Sequence, residues 1–205
     1  MNVPLSRRGF LGGVPLLLAG CLSTPTITPA RYYTLNIDAR PEPAPPSDRT
    51  LGIRPLAGAR PYKLDVAYKS GANRLEYFTH AEWAETPPAV VGRALTDGIR
   101  ATGMFKDVGD AADMSRPDYI LTGELRRFEA DYTVSPPSAV VELSVAIRPT
   151  TLTGTFWEGL VRADSPIAGL EMEKNADAIA SAMAEAVSAL ILDVCARIRG
   201  SATAP

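Results

Sequence analysis

The chain has 205 residues, 46% of them hydrophobic and 21% charged, with a formal net charge of −2. That length supports one domain with a substantial core, and nothing in the slightly acidic balance suggests nucleic-acid binding, which calls for a concentrated basic face. Two cysteines and 1 histidine exclude a two-histidine metal site and a multi-cystine framework within one chain.

Arg7 and Arg8 precede an apolar run that ends in Leu18-Ala19-Gly20-Cys21. This ending resembles the bacterial lipobox. Small Ala19 and Gly20 let a membrane peptidase reach the bond before Cys21, and the free Cys21 thiol takes a diacylglyceryl group. A core helix is the competing reading, but Gly12, Gly13 and Pro15 break it. Ser6-Arg7-Arg8-Gly9-Phe10-Leu11 resembles the twin-arginine export motif, with the general secretory route as the alternative. The expected division is a signal peptide over 1–20, a Ser/Thr/Pro-rich tether over 21–30, one domain over 31–199 and a tail over 200–205. Removing residues 1–20 takes the net charge from −2 to −4, because they hold Arg7 and Arg8 and no acidic residue. No downstream segment is expected to approach the ~18 apolar residues of a membrane span. The expected anchor is therefore lipid on Cys21, with several acyl chains for stable attachment. Leu22 and Ser23 stand where an Asp would favour inner-membrane retention, which points to the periplasmic face of the outer membrane. With Cys21 acylated, Cys195 has no disulfide partner in the chain, and its spacing to Ile191 and Ile198 marks a buried small apolar residue.

In chain order, Arg31 to Ile37 reads as a first strand. Ala39 to Asp48 holds four prolines and reads as an extended linker. Thr50 to Arg54 is a short strand stopped by Pro55. Leu64 to Lys69 and Arg74 to Phe78 form a hairpin about Ser70-Gly71-Ala72-Asn73, whose Gly and Asn can supply positive φ. A loop carrying Trp83 follows. Thr86 then caps a helix with Pro87 at its first position, and Val90, Val91, Ala94, Leu95, Gly98 and Ile99 share one face up to Ala101. Gly103 closes it and Phe105 to Val108 is a strand. Tyr119 to Phe128, Ala139 to Arg148 and Thr155 to Arg162 alternate as an antiparallel meander, with Arg126-Arg127 marking a bulge or strand end. A helix from Asn175 to Arg199 carries an apolar stripe rich in Ala, with Gly200 as its stop.

The lipobox, the Tyr32-Tyr33-Thr34-Leu35 strand, the hairpin leading to Trp83-Ala84-Glu85-Thr86-Pro87, the meander and the Ala-rich last helix together resemble the ABC-type transport auxiliary lipoproteins, which include the paraquat-inducible type. The resemblance runs from Tyr32 to Ile198. It implies an α+β domain: a mainly antiparallel sheet of about five to six strands with two helices packed on one face. It further implies an outer-membrane lipoprotein serving a transporter whose MCE-domain protein, with its permease and ATPase, carries lipids across the periplasm.

An enzyme is not expected. The sequence has no nucleophile elbow, phosphate loop or dinucleotide fingerprint, so no cofactor is implied. Glu82 and Glu85 near His80 read as solvated groups on a loop beside a helix start. The partner-binding candidates are Trp83, Glu85 and Pro87. Trp83 either anchors a partner or packs under the hairpin, and packing is preferred because the motif is tied to a helix start. The sheet face without helices is expected to be solvated or covered by another subunit, and ring-like self-association would suit a collar around a conduit. Two other readings stay open: an assembly or regulatory lipoprotein of a secretion, pilus or cell-wall complex, and a carrier with its own apolar lipid cavity.

Overall fold

The computed structural model describes residues 29–151, 155–168 and 175–202. Arg7, Arg8, Cys21, most of the tether, part of the turn before Thr155 and the end of the tail lie outside the described residues. The elements in order are β1 (Arg31–Tyr33), β2 (Ser47–Ile53), β3 (Ala57–Gly58), β4 (Asp65–Gly71), β5 (Arg74–Trp83), α1 (Pro87–Ala101), β6 (Phe105–Asp110), β7 (Tyr119–Asp131), β8 (Ser138–Pro149), β9 (Trp157–Pro166) and α2 (Ala176–Ala202).

β7 is the spine of the sheet. Along one edge it pairs antiparallel with β8, which pairs antiparallel with β9, so the expected meander is present. Its register slips between Leu125 and Arg127, where the Arg126-Arg127 pair breaks the alternation. Along its other edge β7 receives β2 at Tyr119 to Leu121, β3 at Glu124 and Leu125, and β4 at Ala130 and Asp131, all parallel. β2 carries β6 on its far side, and β4 carries β5 and then β1. The α+β class holds. The sheet is larger than expected, with nine strands among the described residues, and it is mixed rather than mainly antiparallel. Parallel pairing needs long connections, and the extended segment after β1 and helix α1 before β6 supply them.

Local details also differ from expectation, beginning with β1, which stops at Tyr33 rather than Ile37. β5 continues to Trp83, so this residue ends a strand instead of sitting on a loop. Between the strands expected at Thr50 to Arg54 and Leu64 to Lys69, Ala57 and Gly58 form a further strand, β3, and Gly58 lies so close to α1 that a Cβ there would meet Pro88 Cγ at 2.6 Å. The hairpin turn uses no positive φ, since among the described residues only Gly103 has one. A register shift beside Gly71 takes up the twist instead. Thr86 occupies the N-cap position but makes no side-chain capping bond; its carbonyl accepts from Ala89 and Val90. α2 runs past Gly200 to Ala202.

Both helices pack on the sheet and on each other. α1 buries Val91, Leu95, Gly98 and Ile99, a spacing of one helical face. α2 buries Ile179, Met183, Val187, Leu190, Ile191 and Val194 against β8 and β9, whose inward residues Val141, Leu143, Val145, Ile147 and Val161 are all buried. Contrary to the sequence expectation, Ala176–Ser201 is long and apolar enough to cross a membrane by length and composition. Its large apolar side chains other than Leu192 are nevertheless committed to this core, so it is a packed helix of the domain. Gly98 is where the helices approach: a Cβ there would lie 2.4 Å from Ile191 Cγ2. Leu56 fills a second close contact between Gly92 of α1 and Gly123 of β7.

Candidate functional site

The stretch expected to bind a partner folds as a corner where β1, the end of β5 and the start of α1 meet. β1 runs parallel to β5, with Tyr33 opposite Trp83 and the Ala84 N–H donating to the Tyr33 carbonyl. The Trp83 N–H donates to the Leu64 carbonyl, which ties the preceding loop to the same corner. Trp83 is only 3% exposed, and its ring meets Phe128 of β7 edge to face at 5.4 Å. The structure therefore places Trp83 in the core, as the packing reading prefers. Pro87 is also buried, at the first turn of α1.

Glu85 remains at the surface. Its carboxylate accepts from Arg93 Nη1 at 2.6 Å and Nη2 at 3.0 Å, a two-pronged ion pair between the corner and the second turn of α1. Hydrogen bonding from Arg93 holds the Glu85 carboxyl below its ordinary pKa. Tyr33, Leu35, Val90 and the Glu85–Arg93 pair line a pocket of about 50 Å³, far below the few hundred Å³ that a ligand site occupies. Tyr32 beside it is 66% exposed. The corner thus offers a shallow surface with one aromatic ring and one ion pair over a rigid base, suited to contact with a macromolecule.

Sequence reasoning missed a second cluster on the sheet face away from the helices. Arg127, Glu129 and Asp131 project from alternate positions of β7. Arg127 Nε donates to Glu129 Oε1 at 2.9 Å and Nη2 donates to Asp131 Oδ2 at 3.1 Å. The Tyr62 hydroxyl donates to Glu129 Oε2, and the Thr133 N–H donates to Asp131 at 3.0 Å. Burial raises the Asp131 pKa, but the Thr133 hydroxyl and N–H and then Arg127 outweigh it and hold the carboxyl below its ordinary value. Burial, then the bond to Glu129, pushes the Tyr62 hydroxyl well up. The cluster pins the segment from Ala59 to Leu64 over this face, helped by the Tyr77 hydroxyl bond to the Pro61 carbonyl. Val140, the register partner of Glu129, is fully buried there. The open face is thus covered at one end, by its own chain. The two-residue spacing of Arg127, Glu129 and Asp131 is the signal that could have revealed the cluster.

The larger hollows lie on the outer side of α2, where the Pro-rich segment after β1 runs alongside it. One, of about 630 Å³, is lined by Thr34, Asn36, Asp38 and the Ala/Ser side of α2. The other, of about 360 Å³, lies among Arg40, Glu42, Leu192 and Arg199. Both are open, and charged groups (Asp38 and Glu185 in one, Arg40, Glu42 and Arg199 in the other) stand in their walls, unlike the closed apolar chamber of a lipid carrier. Cys195 is buried, and burial pushes its thiol up to about 12, so it stays protonated and unreactive. Among the described residues no group of three or more His, Cys, Asp or Glu side chains could hold a metal ion.

No curated protein matches the sequence. Among solved structures, protein XCC0632 from Xanthomonas campestris is similar at a TM-score of 0.74 and 18% identity, covering 84% of this chain and 96% of that one. An uncharacterized protein gives a TM-score of 0.64 at 12% identity over 83% of this chain and 99% of that one. Protein CT253 from Chlamydia trachomatis gives 0.54 at 11% identity over 78% of this chain and 100% of that one. At these identities the likeness establishes the fold alone. The family described as the ABC-type transport auxiliary lipoprotein component matches residues 33–195, nearly the whole folded domain, and the chain belongs to that family.

Proposed function

We propose that this protein is a non-catalytic, lipid-anchored auxiliary component of an MCE-type ABC transporter, holding the periplasmic end of a lipid conduit at the outer membrane. The observation that carries the reading is the family match over residues 33–195, downstream of the lipobox cysteine Cys21. Acylated Cys21 fixes the domain at the periplasmic face, Arg7 and Arg8 direct export, and ATP is hydrolysed by another subunit. The corner of Tyr32, Glu85 and Arg93 is the docking surface, with Trp83 and Pro87 holding it rigid from below. Two features support this assignment: the corner's exposed groups stand on buried, well-packed ones, and its pocket is too small for a lipid chain.

A photo-reactive amino acid at position 85, introduced into the lipoprotein in intact cells, tests the reading. A cross-link to the MCE-domain protein is the expected result. Cross-links only to secretion, pilus or cell-wall components would replace this reading with that of an assembly lipoprotein. The absence of any cross-link from position 85, with one formed from another face, would remove the corner from the assignment.

A further inference from the structure

Among the described residues strand β9 ends its side of the sheet and pairs only with β8. Its residues alternate cleanly. Val161 and Ser165 are buried toward α2, where the Ser165 hydroxyl donates to Glu185, while Glu158, Leu160, Arg162 and Asp164 are exposed on the other face. Leu160 is 51% exposed, a large apolar side chain in the middle of an edge.

The backbone parity follows from one bond. Ile167 lies opposite Pro137 in the continued register, and its N–H donates to the Pro137 carbonyl at 2.8 Å. Alternation along an antiparallel pair then turns the N–H and C=O of Val161, Ala163 and Ser165 toward β8. Those of Glu158, Leu160, Arg162 and Asp164 turn outward, and among the described residues they have no partner. Native edges are usually blunted by Lys, internal Pro, bulges or shortness. β1 has three residues, and the carbonyl of Val108 in β6 is capped by Arg100 Nη2 at 2.8 Å. β9 has no Lys, bulge or internal Pro: its ten residues pair with β8 without a register shift, its Pro166 stands at the very end, and its exposed charges, Glu158, Arg162 and Asp164, are of both signs and so can attract a second copy.

We propose that β9 pairs with β9 of a second copy of this chain, antiparallel about Leu160, so that one sheet continues across a two-fold axis. Of the in-phase registers this one joins opposite charges over the longest ladder; an axis at Ala163 also sets Arg162 against Asp164, but it puts Leu160 opposite Pro166, which has no N–H, and runs Glu158 past the end of the partner strand. With the axis at Leu160, Glu158 of each copy faces Arg162 of the other, and the two Leu160 side chains meet between the ion pairs. Moving the axis to Val161 sets Glu158 against Asp164, two like charges directly opposite, which destabilises. Moving it to Gly159 sets Glu158 against Leu160 and leaves no ion pair. An axis between residues would face outward backbone groups with inward ones and lose the ladder. Such a contact closes at two copies and by itself builds no ring.

Cysteine cross-linking in envelope membranes holding the native lipoprotein tests this. In the proposed register residues 160 of the two copies form a hydrogen-bonded pair with Cα atoms about 5.5 Å apart, within disulfide reach. Leu160→Cys is therefore expected to give a disulfide dimer on mild oxidation. Glu158→Cys alone and Arg162→Cys alone should give little, yet the two co-expressed should cross-link to each other. Adding Glu158→Arg to Leu160→Cys should cut the dimer about tenfold, since two attractive cross-strand pairs become repulsive. Adding Arg162→Glu as well should restore it. All of these positions are exposed, so the fold is not at stake. Failure of Leu160→Cys to exceed the single Glu158→Cys control, insensitivity to the charge reversals, or a cross-link to a different protein would each overturn the proposal.

Discussion

Gly98→Ala tests the packing of the two helices, and its sign is not that of an ordinary helical glycine. At an exposed site the change stabilises a helix by about 1 kcal/mol. Here the new methyl would sit 2.4 Å from Ile191 Cγ2, more than 1 Å inside the ordinary carbon contact of about 3.5–4.0 Å. Ile191 is fully buried and branched at Cβ, so it has little room to rotate away. Overpacking of this kind costs about 1–3 kcal/mol, and the depth of the overlap puts it near the upper end. Set against the propensity gain, the net loss is about 2 kcal/mol, or roughly 4–8 °C in Tm for a domain of this size. Urea unfolding followed by tryptophan fluorescence reads it. Ile191→Leu moves the branch one carbon outward and removes the clashing methyl, so the double variant should recover about 1–2 kcal/mol relative to additivity. A Gly98→Ala protein more stable than the parent, or strict additivity with Ile191→Leu, would refute the close contact.

Three further predictions concern the covered end of the sheet and the anchor. Arg127→Met leaves the buried Glu129 and Asp131 carboxylates without their cation and should cost about 3–5 kcal/mol in urea unfolding, whereas Tyr62→Phe, which removes one bond to Glu129, should cost about 1–3 kcal/mol. The depressed Asp131 pKa means that its contribution to stability is complete above the ordinary carboxylate value and is lost as pH falls through the folded value. Stability of Asp131→Asn should therefore vary less steeply than the parent's below about pH 4, and an unchanged acid limb would contradict the assignment. Cys21→Ser should leave the domain folded but release it from membranes, and sedimentation with membranes at high salt would show that lipid is not the anchor.

The parts of the fold legible in the sequence are those with a local cause. Thr86-Pro87 followed by the Val91, Leu95, Ile99 spacing marks α1 to the residue, the alternation of Val141 to Ile147 marks β8, and the Arg126-Arg127 interruption marks the bulge. The parallel pairings of β7 with β2, β3 and β4 have no such mark. They join segments far apart in the chain, and a two-residue strand such as β3 exists only because β7 lies beside it. Trp83 reads as loop because the helix signal follows so closely, but pairing with β1 extends β5 through it. At the candidate site Glu85 was legible from its place before the helix. Arg93 was not, because eight positions separate it from Glu85 and only the turn into α1 brings them together. Tyr62 and Glu129 are likewise joined across 67 positions by the fold of the loop after β3.

The proposed role depends most heavily on the partner. The most direct measurement is to isolate the native lipoprotein in mild detergent through a C-terminal tag and identify the proteins that accompany it by mass spectrometry. Recovery of an MCE-domain protein together with its permease and ATPase is the predicted result. Recovery of secretion, pilus or cell-wall components in their place would contradict the lipid-transport assignment.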